Sequence, residues 1–174
     1  MFNRAGYHGT DSNRLARAAG YAPGSFYKHF PDKRAAFVAA YADWVTAEWR
    51  ALSAIAAGAG DADTQVERIV HLLLAWHRRW RVFRASLRVL VATDARVRRA
   101  HRRQRRRQLE WLRALRERQG QLARPRADDV LLLLTLERVC DAAADGELRD
   151  LGVAPAAAAA RLRALVAAAL APPP

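Results

Sequence analysis

GYHGTDSNRLARAAGYAPGSFYKHFPDKRAAF, Gly6 to Phe37, is the stretch on which the reading of this chain turns. Thr10, Asp11 and Ser12 bring side-chain oxygens to the start of a helix that runs to about Ala19. Leu15, Ala16 and Ala19 lie on its inner face and Gly20 stops it. Pro23 or Gly24 opens a second, very short helix to about Phe30, with Phe26 and Phe30 on one face. Pro31 breaks the chain, and Asp32 is placed to cap a long helix from Lys33 to about Ile55. Phe37, Tyr41, Trp44, Val45, Glu48 and Leu52 recur along it at helical spacing. Upstream, Met1 to Ala5 reads as the tail of a helix ending at Gly6, a C-cap position.

Two short helices about a glycine turn are the parts with which a protein sets one helix into the DNA major groove. The exposed residues of the second helix are Gly24, Ser25, Lys28 and His29. Ser25 and Lys28 are candidates for base edges, Tyr27 and His29 for phosphate oxygens. Lys33 stands at the N-terminus of the long helix, where free N–H groups and the positive dipole end favour an anion. Spacing alone fits a helical hairpin with a solvated polar face equally well.

The order of residue types adds more. Gly6-Tyr7, Leu15-Ala16, Ala19-Gly20, the run Gly24 to Phe30, and Lys33 together closely resemble the DNA-binding domain of TetR-family transcriptional regulators, over about the first 50 residues. The resemblance implies a dimer whose two reading helices bind a palindromic operator in double-stranded DNA, with a small-molecule effector that releases it. It assigns DNA contacts to Ser12, Asn13, Pro23, Gly24, Ser25, Tyr27, Lys28, His29 and Lys33. In the family a full helix precedes the glycine matching Gly6, and here about one turn does. A start further upstream or a truncated form is implied, with Leu15, Phe26 and Phe30 left partly exposed.

The rest of the chain is read as helical. Strand and hairpin signals are almost absent, and Ala, Leu and Arg dominate. Ala56 to Asp63, small and glycine-bearing, is the best domain boundary. It divides residues 1–56, the helix-turn-helix with its connecting helix, from residues 57–174, a helical body. Asp63 or Thr64 is expected to cap a helix to about Trp80. Further helices are expected over Val82–Val91, from Thr93 or Asp94 to about Gln119, from Asp128 or Asp129 to Gly146, and from Pro155 to the Pro172–Pro174 tail.

The chain carries 30 Lys+Arg against 17 Asp+Glu, a net charge of +13, so nucleic acid is the default partner. Met1–Ala56 has 7 basic and 4 acidic residues, and Arg78–Arg118 has 16 and 3. Most of the charge thus lies outside the reading device. In the arginine-rich helix Val97, Ala100, His101, Gln104, Gln108, Trp111, Leu112 and Leu115 share one face, which leaves the arginines a solvated face or a second nucleic-acid surface. Two glutamines and a histidine on an inner face suggest a cavity, which the resemblance assigns to the effector. Trp76, Trp80, Phe83 and Trp111 are candidates for its walls, and His71, His101, Gln104 and Gln108 for its polar groups. Val130–Leu136 is apolar all round, and Ala156–Ala160 with Leu162, Leu165 and Val166 offers a small-residue face. The resemblance makes these two helices a homodimer interface, and a buried monomer core is the plain alternative.

Catalysis is not expected. The chain has no Gly-rich phosphate loop, HExxH, paired cysteines or Gly-x-Ser-x-Gly elbow, and no cofactor or metal site is expected. Cys140, the single cysteine, fits a reducing compartment. No signal peptide or apolar run near 20 residues appears, so a soluble, cytoplasmic protein is expected. Two other functions remain open: a ligand-sensing or protein-interaction dimer with an incomplete DNA-binding domain, and a nonspecific nucleic-acid binder acting through the arginine helix.

Overall fold

The computed structural model describes residues 1–118, 120 and 124–171; the expected end of the arginine helix at Gln119 and the Pro172–Pro174 tail lie outside them. The fold is all-α, with no strand among the described residues. The helices are α1 (Phe2–Ala5), α2 (Ser12–Ala18), α3 (Phe26–His29, preceded by a 3₁₀ turn Pro23–Ser25) and α4 (Lys33–Ala57). They continue as α5 (Ala62–Arg79), α6 (Arg81–Thr93), α7 (Ala95–Arg118), α8 (Arg126–Asp145), α9 (Glu147–Asp150) and α10 (Pro155–Leu170). They form two compact units, Met1–Ala47 with Trp80–Gln104, and Glu48–Arg79 with Arg105–Pro174. The expected linker Ala56–Asp63 falls within the second of these.

In the first unit, capping explains the short helices. Asp11 Oδ1 accepts from Arg14 N–H at 2.8 Å and starts α2. The end of α2 is a Schellman motif: Tyr21 N–H bonds to Ala16 O at 2.9 Å and Gly20 N–H to Arg17 O at 3.0 Å. That geometry puts Gly20 at φ +80°, where a side chain is strained. Phe30 is extended (φ −135°, ψ 129°), as a residue before proline must be, and this separates α3 from α4. Asp32 Oδ1 then accepts from Ala35 N–H at 2.7 Å and opens α4 as expected.

α4 supplies the wall of this unit's core. Phe37, fully buried, stacks on Phe83 of α6 with centroids 4.5 Å apart, and Phe2 meets it edge-on at 5.1 Å. Tyr41 stacks on His101 of α7 at 5.9 Å. α1 is held on α6 by polar bonds as well: Phe83 N–H donates to Asn3 Oδ1 at 3.2 Å, and Tyr7 N–H to Ser86 Oγ at 3.0 Å. Gly6 (φ +68°) sits so close to α6 that a Cβ there would lie 3.3 Å from Ser86 Oγ. At the start of α7, Asp94 Oδ1 accepts from Arg96 and Val97 N–H at 2.8 and 3.1 Å.

In the second unit α5 packs against α8 and α10 around Val66, Ile69, Val70, Leu73, Cys140, Leu162 and Val166. α5 buries Val66, Ile69, Val70 and Leu73 at helical spacing, with Trp76 half-buried, and Cys140 is a small buried hydrophobe. The helix starts earlier than expected. Asp61, not Asp63 or Thr64, is the cap, its Oδ1 accepting from Thr64 N–H at 2.7 Å, and Asp63 is left in the first turn. α8 likewise begins at Arg126, behind Pro125, ahead of the expected Asp128 or Asp129. α9, which no sequence signal marks, fills the turn after Gly146.

Candidate DNA-reading surface and ligand cavity

The 3₁₀ turn and α3 are anchored from one side only. Phe26 is buried and Phe30 half-buried, their rings 5.6 Å apart, while Pro23, Gly24, Tyr27, Lys28 and His29 are exposed. Leu15 is half-buried, so of the three residues expected to be partly exposed, Phe26 is the one fully covered. Gly24 has open space where a Cβ would stand, so the backbone here is free to approach a flat surface closely. Ser25 Oγ donates its proton to Ala22 O at 2.6 Å. Its lone pairs remain for accepting.

Ser12 and Asn13 open α2 beside this helix. The Ser12 and Tyr27 hydroxyls share a hydrogen bond of 3.1 Å, and Tyr27 is 61% exposed. The phenol is therefore held in place yet open to a phosphate oxygen. His29 lies 5.9 Å from the Tyr21 ring. Together these residues form one polar surface with hydroxyl, ammonium and imidazole groups on it.

Lys33 opens α4 as expected, and its ammonium also has partners within the unit. Its ammonium donates to Tyr7 O at 3.0 Å and Thr10 O at 2.8 Å, and lies 4.2 Å over the Tyr7 ring. Two of its three donors thus brace the turn between α1 and α2, which leaves one for an anion. Beside it, the Ala35 N–H bond and the Arg96 guanidinium hold the Asp32 carboxyl below the usual carboxylate range. Asp94 is lowered too, by the Val97 and Arg96 N–H bonds and the nearby Arg34. Asp32 and Asp94 pair with Arg96 at 3.0 Å and Arg34 at 2.5 Å.

The residues expected to line an effector cavity are divided. Phe83 (1% exposed), Trp80, His101 and Gln104 belong to the first unit, where Phe83 is packed between aromatic rings. His71, Trp76, Gln108 and Trp111 belong to the second. There His71 and Trp76 meet in one open cavity of about 600 Å³, lined also by Ile55, Arg68, Leu72 and Ala75. The Trp76 Nε1 donor is buried with no partner among the described residues. Gln108 accepts a long bond from Arg105 at 3.3 Å, and Trp111 packs on Trp49 at 5.6 Å.

Comparison with known proteins bears on both parts. Residues 1–40 match the model of the bacterial regulatory proteins of the tetR family. That match runs from α1 to the start of α4. The fold agrees over nearly the whole length. A protein from Rhodococcus sp. assigned to the TetR-family transcriptional regulators superposes with a TM-score of 0.75 at 17% identity, covering 98% of this chain and 92% of that one. The fatty acid degradation regulator FadR from Bacillus halodurans gives 0.69 at 16%, covering 95% and 88%. A TetR-family regulator candidate from Shewanella sp. PV-4 gives 0.61 at 21%, covering 97% and 90%. No curated protein sequence matches significantly.

The chain also holds groups that the sequence did not reveal. α8 carries an inward column of acids: Asp129 pairs with Arg116, Glu137 with Arg105, and Asp141 with His77 at 2.8 Å. Their spacing of eight and four residues keeps them on one helix face. The segment expected to be apolar all round therefore lies between charged anchors, with Leu131 and Leu134 of α8 62% and 49% exposed. Arg84 is buried over the Trp44 ring at 5.1 Å. Among the described residues no helix is long and apolar enough to cross a membrane.

Proposed function

We propose that the chain is a DNA-binding transcriptional regulator that represses from a palindromic operator as a homodimer and releases it on binding a small molecule. The observation that carries this reading is the one-sided anchoring of α3. Phe26 and Phe30 face the body of the unit, and the exposed surface presents Tyr27, Lys28 and His29 beside an open Gly24 backbone. Ser12, Asn13, Tyr27 and His29 position the backbone of the duplex, Ser25 and Lys28 read base edges, and Pro23 and Gly24 permit close approach. Lys33 contributes one donor at most, and its main work is to hold the turn that orients α2.

In this reading residues 1–56 carry DNA recognition and residues 57–174 carry ligand binding and dimerisation. The exposed Leu131 and Leu134 on α8 and the exposed alanines of α10 support a homodimer surface there. The cavity holding His71 and Trp76 is the favoured effector site, because it brings these two residues together beside the apolar Ile55, Leu72 and Ala75 and the charged Glu67, Arg68 and Arg79. Release needs an effector that binds the two conformations with different affinity.

The test is affinity for DNA upstream of the chain's own gene against random duplex. A preference of roughly 10³-fold or more is expected at physiological salt. Equal affinity for both sinks the reading.

A further inference from the structure

α7 is one uninterrupted helix, and the structure sorts its arginines from Arg96 to Arg116 into two kinds. Arg96, Arg105, Arg113 and Arg116 pair with Asp32, Glu137, Glu117 and Asp129. Arg98 closes the end of α6, donating to Val91 O at 2.9 Å and to Ala92 O at 2.5 Å. Arg99, Arg102, Arg103, Arg106 and Arg107 do none of this. All five are exposed and have no hydrogen-bond or salt-bridge partner among the described residues.

Their spacing places them on one face. Steps of three and four residues make neighbours of Arg99 with Arg102 and Arg103, and of Arg103 with Arg106 and Arg107. Like charges at these spacings repel one another. No acidic residue of α7 lies within the stripe, and Glu110 is the first beyond it. The stripe is a standing repulsion that an extended polyanion relieves.

We propose that this stripe is a second, sequence-independent binding surface for the phosphodiester backbone of duplex DNA. From Arg99 to Arg107 the helix rises about 12 Å. Over that length a duplex carries about seven phosphates, enough to engage all five guanidinium groups. Two ion pairs, Arg34–Asp94 and Arg96–Asp32, tie the start of α7 to the start of α4, directly after α3. The first three arginines of the stripe therefore belong to the same compact unit as the reading helix. A lipid surface fits less well, because Val97, Ala100, Gln104 and Gln108, on the opposite side of α7, are buried and no apolar face is left to insert. A protein partner fits less well too. α7 has no exposed large hydrophobic residue to form the desolvated centre of such an interface.

The experiment uses the full chain and a random-sequence duplex, so it does not depend on operator recognition. Affinity is measured across salt for the wild type and for a variant with Arg102→Gln, Arg103→Gln, Arg106→Gln and Arg107→Gln. The slope of log K against log salt should shrink by roughly 3–4 units, at about 0.9 for each phosphate no longer neutralised. The same four positions changed to Lys should keep the wild-type slope. Arg103→Gln alone should lower it by about one unit, which serves if the fourfold variant folds poorly. An unchanged slope in both Gln variants overturns the proposal. So does equal wild-type affinity for polyglutamate or for anionic vesicles under the same conditions. A protein that shows the slope change without operator preference refutes the proposed function and leaves this inference standing.

Discussion

Lys33→Met separates a structural role for this lysine from a DNA-binding one. The substitution keeps an unbranched apolar stem and removes the ammonium. In the structure that ammonium makes two bonds to backbone carbonyls, Tyr7 O and Thr10 O, and covers the Tyr7 ring at 4.2 Å. A bond from a charged donor contributes about 1.5–3 kcal/mol when buried, and a cation over an exposed ring about 0.5–1 kcal/mol. Lys33 is half-buried, so the low end of each range applies and solvent reclaims part of it. The expected loss is about 2–3 kcal/mol. Urea unfolding followed by circular dichroism at fixed protein concentration measures it, with fixed concentration removing any dimer linkage. The midpoint should fall while the slope with denaturant stays the same. A stability within about 0.5 kcal/mol of wild type, the range of an ordinary surface change, would show that the two carbonyl bonds contribute nothing and that the charge serves DNA alone.

Three further outcomes are expected. Gly20→Ala should cost about 1–2 kcal/mol in the same assay, because φ is +80° there and the added methyl meets nothing, leaving backbone strain as the whole effect. Asp141→Ala removes the 2.8 Å bond to the buried His77 imidazole and should cost about 1–3 kcal/mol, a loss that a neutral result would refute. The carboxyls of Asp32, Asp61 and Asp94 are held below their ordinary values by N–H donors, and for Asp32 and Asp94 also by arginines. Groups depressed in the folded state stabilise it above the unfolded pKa of about 3.9, and that contribution is lost as pH falls through the folded values. Asp94→Asn keeps a capping oxygen but removes the titration, so its melting temperature should fall less steeply below about pH 4 than that of the wild type. Parallel acid limbs would contradict the assignment.

What is legible in the sequence is what depends on neighbours along the chain. Asp11, Gly20, Pro31 and Asp32 act on backbone groups within a few residues, so local chemistry alone yields the helix-turn-helix and the start of α4. The periodic faces of α4 and α7 are legible for the same reason. The role of Lys33 is not, because its partners, the carbonyls of Tyr7 and Thr10, lie 26 and 23 positions away and belong to the backbone, which leaves no trace in residue type. At the start of α5 three capping-competent residues, Asp61, Asp63 and Thr64, compete, and only backbone direction chooses Asp61 among them. The partition of the α7 arginines rests on Asp129 and Glu137 of α8, acids that flank a leucine run and whose inward face only packing defines. The expected effector-site residues share helical faces, and packing in two compact units divides them.

The footprint that this chain leaves on DNA upstream of its own gene tests paired DNA reading most directly. Hydroxyl-radical cleavage in the presence of the protein should reveal two protected patches related by a two-fold axis. Their centres should lie one helical turn, about 34–36 Å, or a multiple of it apart. A single patch, or protection spread evenly without regard to sequence, would contradict a dimer that reads DNA through paired α3 helices.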